Sequence, residues 1–136
     1  MSQGVVISNV EPVQTPSLRV FIGGKPRNVY PGRDLRDGHR VYFVEAGDSG
    51  KVKIGTSMCV KNRLSQLQGA SPERMSLLLS IEGGQRVESE IHKLYKAERI
   101  RREWFSKSGA LAQFLDTSIW AFLQIDSAIR FAQGKN

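Results

Sequence analysis

The stretch Val41-Tyr42-Phe43-Val44-Glu45-Ala46-Gly47-Asp48-Ser49-Gly50-Lys51-Val52-Lys53-Ile54-Gly55 decides the fold. Two β-prone runs, Val41 to Val44 and Lys51 to Gly55, flank a connector rich in glycine, serine and acidic residues, which is the pattern of a β-hairpin. Setting Val41 opposite Ile54 and Phe43 opposite Val52 makes one side uniformly apolar. Burial resists a one-residue slip, because such a slip would mix the two sets of side chains. In that register Tyr42 falls opposite Lys53, with Cβ atoms about 5 Å apart, so a phenol and an amine share the other face.

Downstream, Thr56 or Ser57 can cap a helix in which Val60, Leu64 and Leu67 recur at i, i+4 and i+7, with Gly69 and Pro72 marking its end. Arg63 lies at the border of that stripe. Met75 to Ile81 reads as a third strand, closed by Gly83-Gly84. A second helix, from about Gln85 to Lys96, puts Val87, Ile91 and Leu94 on one face and Glu88, His92 and Tyr95 on a neighbouring stripe. Ile100 to Phe105 reads as a short extended passage, followed by helical stretches at Ala110 to Leu115 and about Thr117 to Ala132. The expected fold is α/β of the α+β type, a small three-stranded antiparallel sheet flanked by helices over residues 41–136. Upstream, residues 1–40 hold four of the five prolines and read as an N-terminal extended arm, partly ordered at most. The alternation Leu18, Val20, Ile22 before Gly23-Gly24 is a strand of marginal length.

Composition narrows the function. The chain has 136 residues and a formal charge of +7, with six basic and three acidic groups in residues 1–40, eleven and seven in 41–102, and three of each in 103–136. Such a balance favours polyanionic partners, nucleic acid first. The densest basic patch is Lys93, Lys96, Arg99, Arg101 and Arg102, offset by Glu98, and reads either as a solvated helix face or as a phosphate-binding surface. A lone cysteine, Cys59, excludes disulfide scaffolds and zinc fingers. No apolar run approaches the roughly 20 residues that span a bilayer, and the first thirty residues lack a signal-peptide layout, so the expected location is cytoplasmic.

The order of the polar residues carries a resemblance. Tyr42, then Lys53 within Val52-Lys53-Ile54-Gly55, then Arg63 within Arg63-Leu64-Ser65-Gln66-Leu67-Gln68, resemble the opening of the GIY-YIG nuclease superfamily. Glu88 and His92 four residues apart, Tyr95 three residues on, and Glu103-Trp104-Phe105 resemble one subfamily, catalogued from a phage open reading frame and a meiotically up-regulated gene. The resemblance covers residues 41 to about 115 and implies a GIY-YIG-like, divalent-metal-dependent endonuclease hydrolysing DNA phosphodiester bonds at a single-metal site.

Each matching residue then has an implied task. Glu88 would bind one Mg²⁺ or Mn²⁺, a hard cation that keeps several waters and needs few carboxylates, and that stabilises the leaving group. Arg63 would hold the scissile phosphate bidentately. Tyr42 would position or deprotonate the water, with a neighbouring cation to help, since a phenol titrates near pH 10. Lys53 would be that cation, although the superfamily has a second tyrosine there. The base stays open among Tyr42, Lys53 and His92, with Gly55, Glu103 and Trp104 in support and the basic strip from Lys93 to Arg102 on the DNA backbone.

Taken singly, each residue has a structural reading. Tyr42 suits a half-buried strand, His92 a core boundary, Glu88 the first turn of a helix, and Trp104 with Phe105 a core anchor. The alternative function is a non-cleaving nucleic-acid-binding or protein-interaction module on the same fold. DNA and RNA are not separated by the sequence, and the apolar C-terminal helix would serve as a homodimer surface.

Overall fold

A computed structural model describes residues 15–134. The chain forms strands β1 (Leu18–Ile22), β2 (Lys25–Pro31), β3 (Arg40–Ala46) and β4 (Lys51–Ser57), helix α1 (Val60–Gly69), and strand β5 (Met75–Glu82). Helix α2 (Gln85–Leu94), a 3₁₀ turn (Lys96–Glu98), strands β6 (Arg99–Arg101) and β7 (Trp104–Ser106), and helix α3 (Gly109–Ala132) follow. The strands build one seven-stranded sheet in the order β1-β2-β5-β3-β4-β7-β6, with every neighbouring pair antiparallel.

This corrects the expected three-stranded sheet. Two of the additional strands come from Leu18–Ile22 and Lys25–Pro31, within the stretch that the sequence presents as an arm. Residues 1–14 of that arm lie outside the described residues. The other two, β6 and β7, are three residues each, too short to give a period-2 signal, and they form from the passage between Ile100 and Phe105. The two expected C-terminal stretches are one continuous 24-residue helix.

Both faces of the sheet are covered. On one, Val41, Phe43, Val52, Ile54, Leu79 and Ile81 pack against Val87 and Ile91 of α2 and Leu111, Leu115 and Phe122 of α3. On the other, Tyr42 and Val44 pack against Val60, Leu64 and Leu67 of α1, with Met75 and Leu77. Complete burial of such side chains contributes about 1.5–3 kcal/mol each. Leu94 does not join Val87 and Ile91; it is exposed, and Tyr95 takes the buried place, stacked on Phe114. Ser57 does not cap α1: its Oγ accepts from the Cys59 N–H, and Gln68 ties the end of the helix to β5 by accepting from the Met75 N–H and donating to the Glu73 carbonyl. Among the described residues no helix is long and apolar enough to cross a membrane.

The hairpin register differs from the expected one by two residues. Tyr42 pairs with Gly55, Phe43 with Ile54, and Val44 with Lys53. A two-residue shift keeps every side chain on its face, so the apolar set is unchanged while the partner of Tyr42 becomes a glycine.

Candidate active site

The site lies at the edge of β4. Strand β7 pairs with Lys51, Val52 and Lys53, and the Ile54 N–H donates to the Glu103 carbonyl at 2.9 Å, so the sheet is notched where Gly55 and Thr56 run on beyond. Tyr42 comes to this notch from one face of the sheet and α2 from the other.

Tyr42 is 1% exposed, and its hydroxyl has no hydrogen-bond partner among the described residues. A Cβ on Gly55 would sit 2.5 Å from the Tyr42 oxygen and 3.0 Å from Glu103 Oε1, so the missing side chain makes room for both. Burial pushes the Tyr42 phenol above its ordinary value; the Arg63 guanidinium opposes this, and the charges of Glu103 and Glu88 reinforce it. A buried polar atom without a partner costs free energy, which a water or a phosphate oxygen in hydrogen-bond reach would recover.

Glu88 sits in the first turn of α2 and is 8% exposed. Burial pushes its carboxyl up, the nearby Glu103 charge adds to this, and His92 and the neighbouring Thr56 hydroxyl pull it back. His92, one turn along, has Nε2 3.5 Å from Glu88 Oε2 and 3.0 Å from the Ile54 carbonyl. A carbonyl only accepts, so Nε2 carries the proton, and in the neutral ring Nδ1 keeps its lone pair.

Lys53 stands elsewhere than expected. It is diagonal to Tyr42, and its Nζ lies 3.2 Å from Glu103 Oε1 and 5.5 Å from the centre of the Trp104 ring. The cation expected opposite the phenol is therefore committed to a carboxylate. Lys53, His92, Arg99, Arg102, Glu103 and Trp104 line a cleft of about 530 Å³ beside the notch. Arg102 holds a left-handed backbone, φ 54°, in the turn between β6 and β7, and its carbonyl accepts from Arg99 Nε at 2.7 Å.

The structure thus brings Tyr42, Lys53, Gly55, Arg63, Glu88, His92, Glu103 and Trp104 to one place. It divides the basic strip: Arg99 and Arg102 face this cleft, Arg101 borders an adjoining groove, and Lys93 and Lys96 are exposed without lining either. Two residues count for more than the sequence suggests. Thr56 contacts Glu88, and its place directly after Gly55 on the strand is the one signal for it. Glu103 is central because its carboxylate pairs with Lys53, lies beside Glu88, and acts by its charge on the Tyr42 phenol.

Among the described residues no group of three or more His, Cys, Asp and Glu could hold a metal ion, so a closed cage is absent there. A half-buried carboxylate pair beside an orphaned hydroxyl is a donor set of another kind. It fits a hard divalent cation that keeps most of its waters, with Glu88 as the protein ligand.

A family model described as the T5orf172 domain matches residues 39–121. It corrects the resemblance drawn from the motifs, because the matching family is distinct from GIY-YIG and no GIY-YIG model matches. The motifs misled because each is short and their spacing alone does not separate families that share nuclease-like features. No curated protein and no solved structure matches the chain.

Proposed function

The chain belongs to the T5orf172 domain family, and from the geometry of its notch we propose that it is a divalent-metal-dependent endonuclease hydrolysing DNA phosphodiester bonds. The observation that carries this reading is the convergence of Tyr42, Arg63, Glu88, His92 and Glu103 on one strand edge, beside a cleft lined by Lys53, Arg99 and Arg102. Arg63 holds the scissile phosphate by its planar guanidinium and balances the charge that builds on phosphorus. Tyr42 orients the attacking water through its unused hydrogen-bond capacity. Because burial makes its ionisation harder, the base is His92, whose Nδ1 carries the free lone pair when Nε2 donates to the Ile54 carbonyl, and which also steadies Glu88. A divalent ion on Glu88 would supply relief of charge on the leaving oxygen. The water oxygen bonds to phosphorus, the bond to the leaving oxygen breaks, and the water proton passes to the base.

Supercoiled plasmid with Mg²⁺ or Mn²⁺ and a chelator control tests this. Nicking should occur only with the metal, and Glu88→Ala and Arg63→Ala should each lower it at least about 100-fold while DNA binding is retained. Undiminished nicking in either variant, or nicking that survives the chelator, would sink the assignment. A second reading, a module that binds nucleic acid without cutting, is favoured by one observation, the commitment of Lys53 to Glu103 at 3.2 Å. A gel shift without cleavage in either metal would establish it.

A further inference from the structure

A second concavity adjoins the cleft on the Tyr42 face of the sheet, between the end of α1 and the edge strands β7 and β6. It measures about 430 Å³, with Ala46 and Met75 as its floor, Ile100 and Trp104 as walls, and Lys51 and Arg101 at the rim. Trp104 borders both this groove and the cleft, so the two are continuous across one indole. Ile100 is 52% exposed on the edge strand, an apolar wall with nothing packed over it. Lys51 and Arg101 are exposed and form no ion pair among the described residues, and Glu73 is the single carboxylate of the lining.

We propose that this groove takes an unpaired nucleobase of the DNA strand whose backbone lies in the neighbouring cleft, so that the substrate is DNA with unpaired bases beside the cut. This rests on the reading of the cleft as a DNA site. An aromatic ring and an aliphatic side chain facing a base-sized space, with two uncommitted cations at its mouth, match what single-strand binding requires: a π-surface for the base and positive charge for the phosphates on either side. A base inside a duplex presents only its edge and cannot offer its face to Trp104 unless it is extruded. The cations and the continuity with the arginine-lined cleft favour nucleic acid over an apolar peptide.

The test needs no catalysis. Trp104 and Trp120 are the only tryptophans, so Trp120→Phe leaves Trp104 as sole emitter. With chelator present, this protein is titrated with an oligo-dT strand, a blunt duplex of the same length, and polyphosphate. The dT strand should quench Trp104 and bind about tenfold tighter than the duplex, as stacking of a base predicts. Ile100→Ser, a neutral change at an exposed edge position, should weaken the dT strand about tenfold while duplex affinity and far-UV circular dichroism stay unchanged. Equal quenching by strand, duplex and polyphosphate would overturn the proposal, as would undiminished strand binding by Ile100→Ser. Failure to nick plasmid sinks the endonuclease alone; nicking without selective quenching sinks the groove alone.

Discussion

At Gly55 the missing side chain decides whether Tyr42 can reach the notch, because a Cβ would come within 2.5 Å of its oxygen inside a paired strand. Gly55→Ala should therefore cost about 1–3 kcal/mol, as overpacking does, and lower cleavage with it. A urea midpoint and nicking rate both equal to those of the parent would contradict this. The strand was legible from its apolar alternation, but the Tyr42–Gly55 pair was not, since alternation is blind to a two-residue shift. The loop decides the register: Ser49 N–H and Oγ both donate to the Ala46 carbonyl, and Gly47 and Gly50 adopt positive φ, so Glu45 and Ala46 stay in β3. Tyr95 offers a pH test on the same scale. Burial, with Glu98 adding, pushes its phenol up to about 12, against about 10 for a free phenol. The unfolded chain ionises first, so stability is full below about pH 10 and falls as pH rises toward 12. Tyr95→Phe should lose less stability over that window, by up to about 2.7 kcal/mol, in urea denaturation at each pH. An identical decline would show that Tyr95 is not sealed from water.

Among the elements, the β1–β2 hairpin is the addition that the sequence hid most effectively. Pro26 and Pro31 argue against an internal strand, yet β5 pairs only with Val29, Tyr30 and Pro31, so Pro26 lies beyond its reach. What holds the segment between β2 and β3 is a buried ion network. Asp34 is 2% exposed and Arg40 5%; Arg40 donates to the Asp34 carboxylate and carbonyl, Arg36 and Thr15 add hydrogen bonds, and the Arg40 guanidinium lies 4.3 Å over the Tyr30 ring. Burial pushes the Asp34 carboxyl up, but the hydrogen bonds from Arg36 and Thr15 and the Arg40 charge outweigh it and hold the group well below the usual range. No periodicity reports such a network, because its members lie in a loop and at a strand end. Asp34→Ala leaves Arg40 buried and unpaired, so about 3–5 kcal/mol of stability should be lost. A urea denaturation curve within about 1 kcal/mol of the parent would mean that water replaces the carboxylate.

Over the whole molecule, the net charge of +7 arises entirely before residue 103, and the fold distributes it unevenly. Five clustered basic residues read as one strip, but a strand turn separates them: the left-handed residue Arg102 reverses the chain, so Arg99 and Arg102 meet in the cleft while Arg101 points into the groove. Lys93 and Lys96 stay in solvent, where charge adds to the long-range field without a fixed phosphate contact. Each fixed contact releases counterions and contributes a slope of about 0.9 to the fall of log affinity with log salt. In chelator, the double variant Arg99→Ala/Arg102→Ala should therefore lower the slope for DNA binding by about 2, whereas Lys93→Ala/Lys96→Ala should leave it nearly as in the parent. Fluorescence anisotropy across a salt series measures both. Equal slopes for the two double variants would mean that the strip acts as one diffuse surface and that the cleft does not select which cations meet the phosphates.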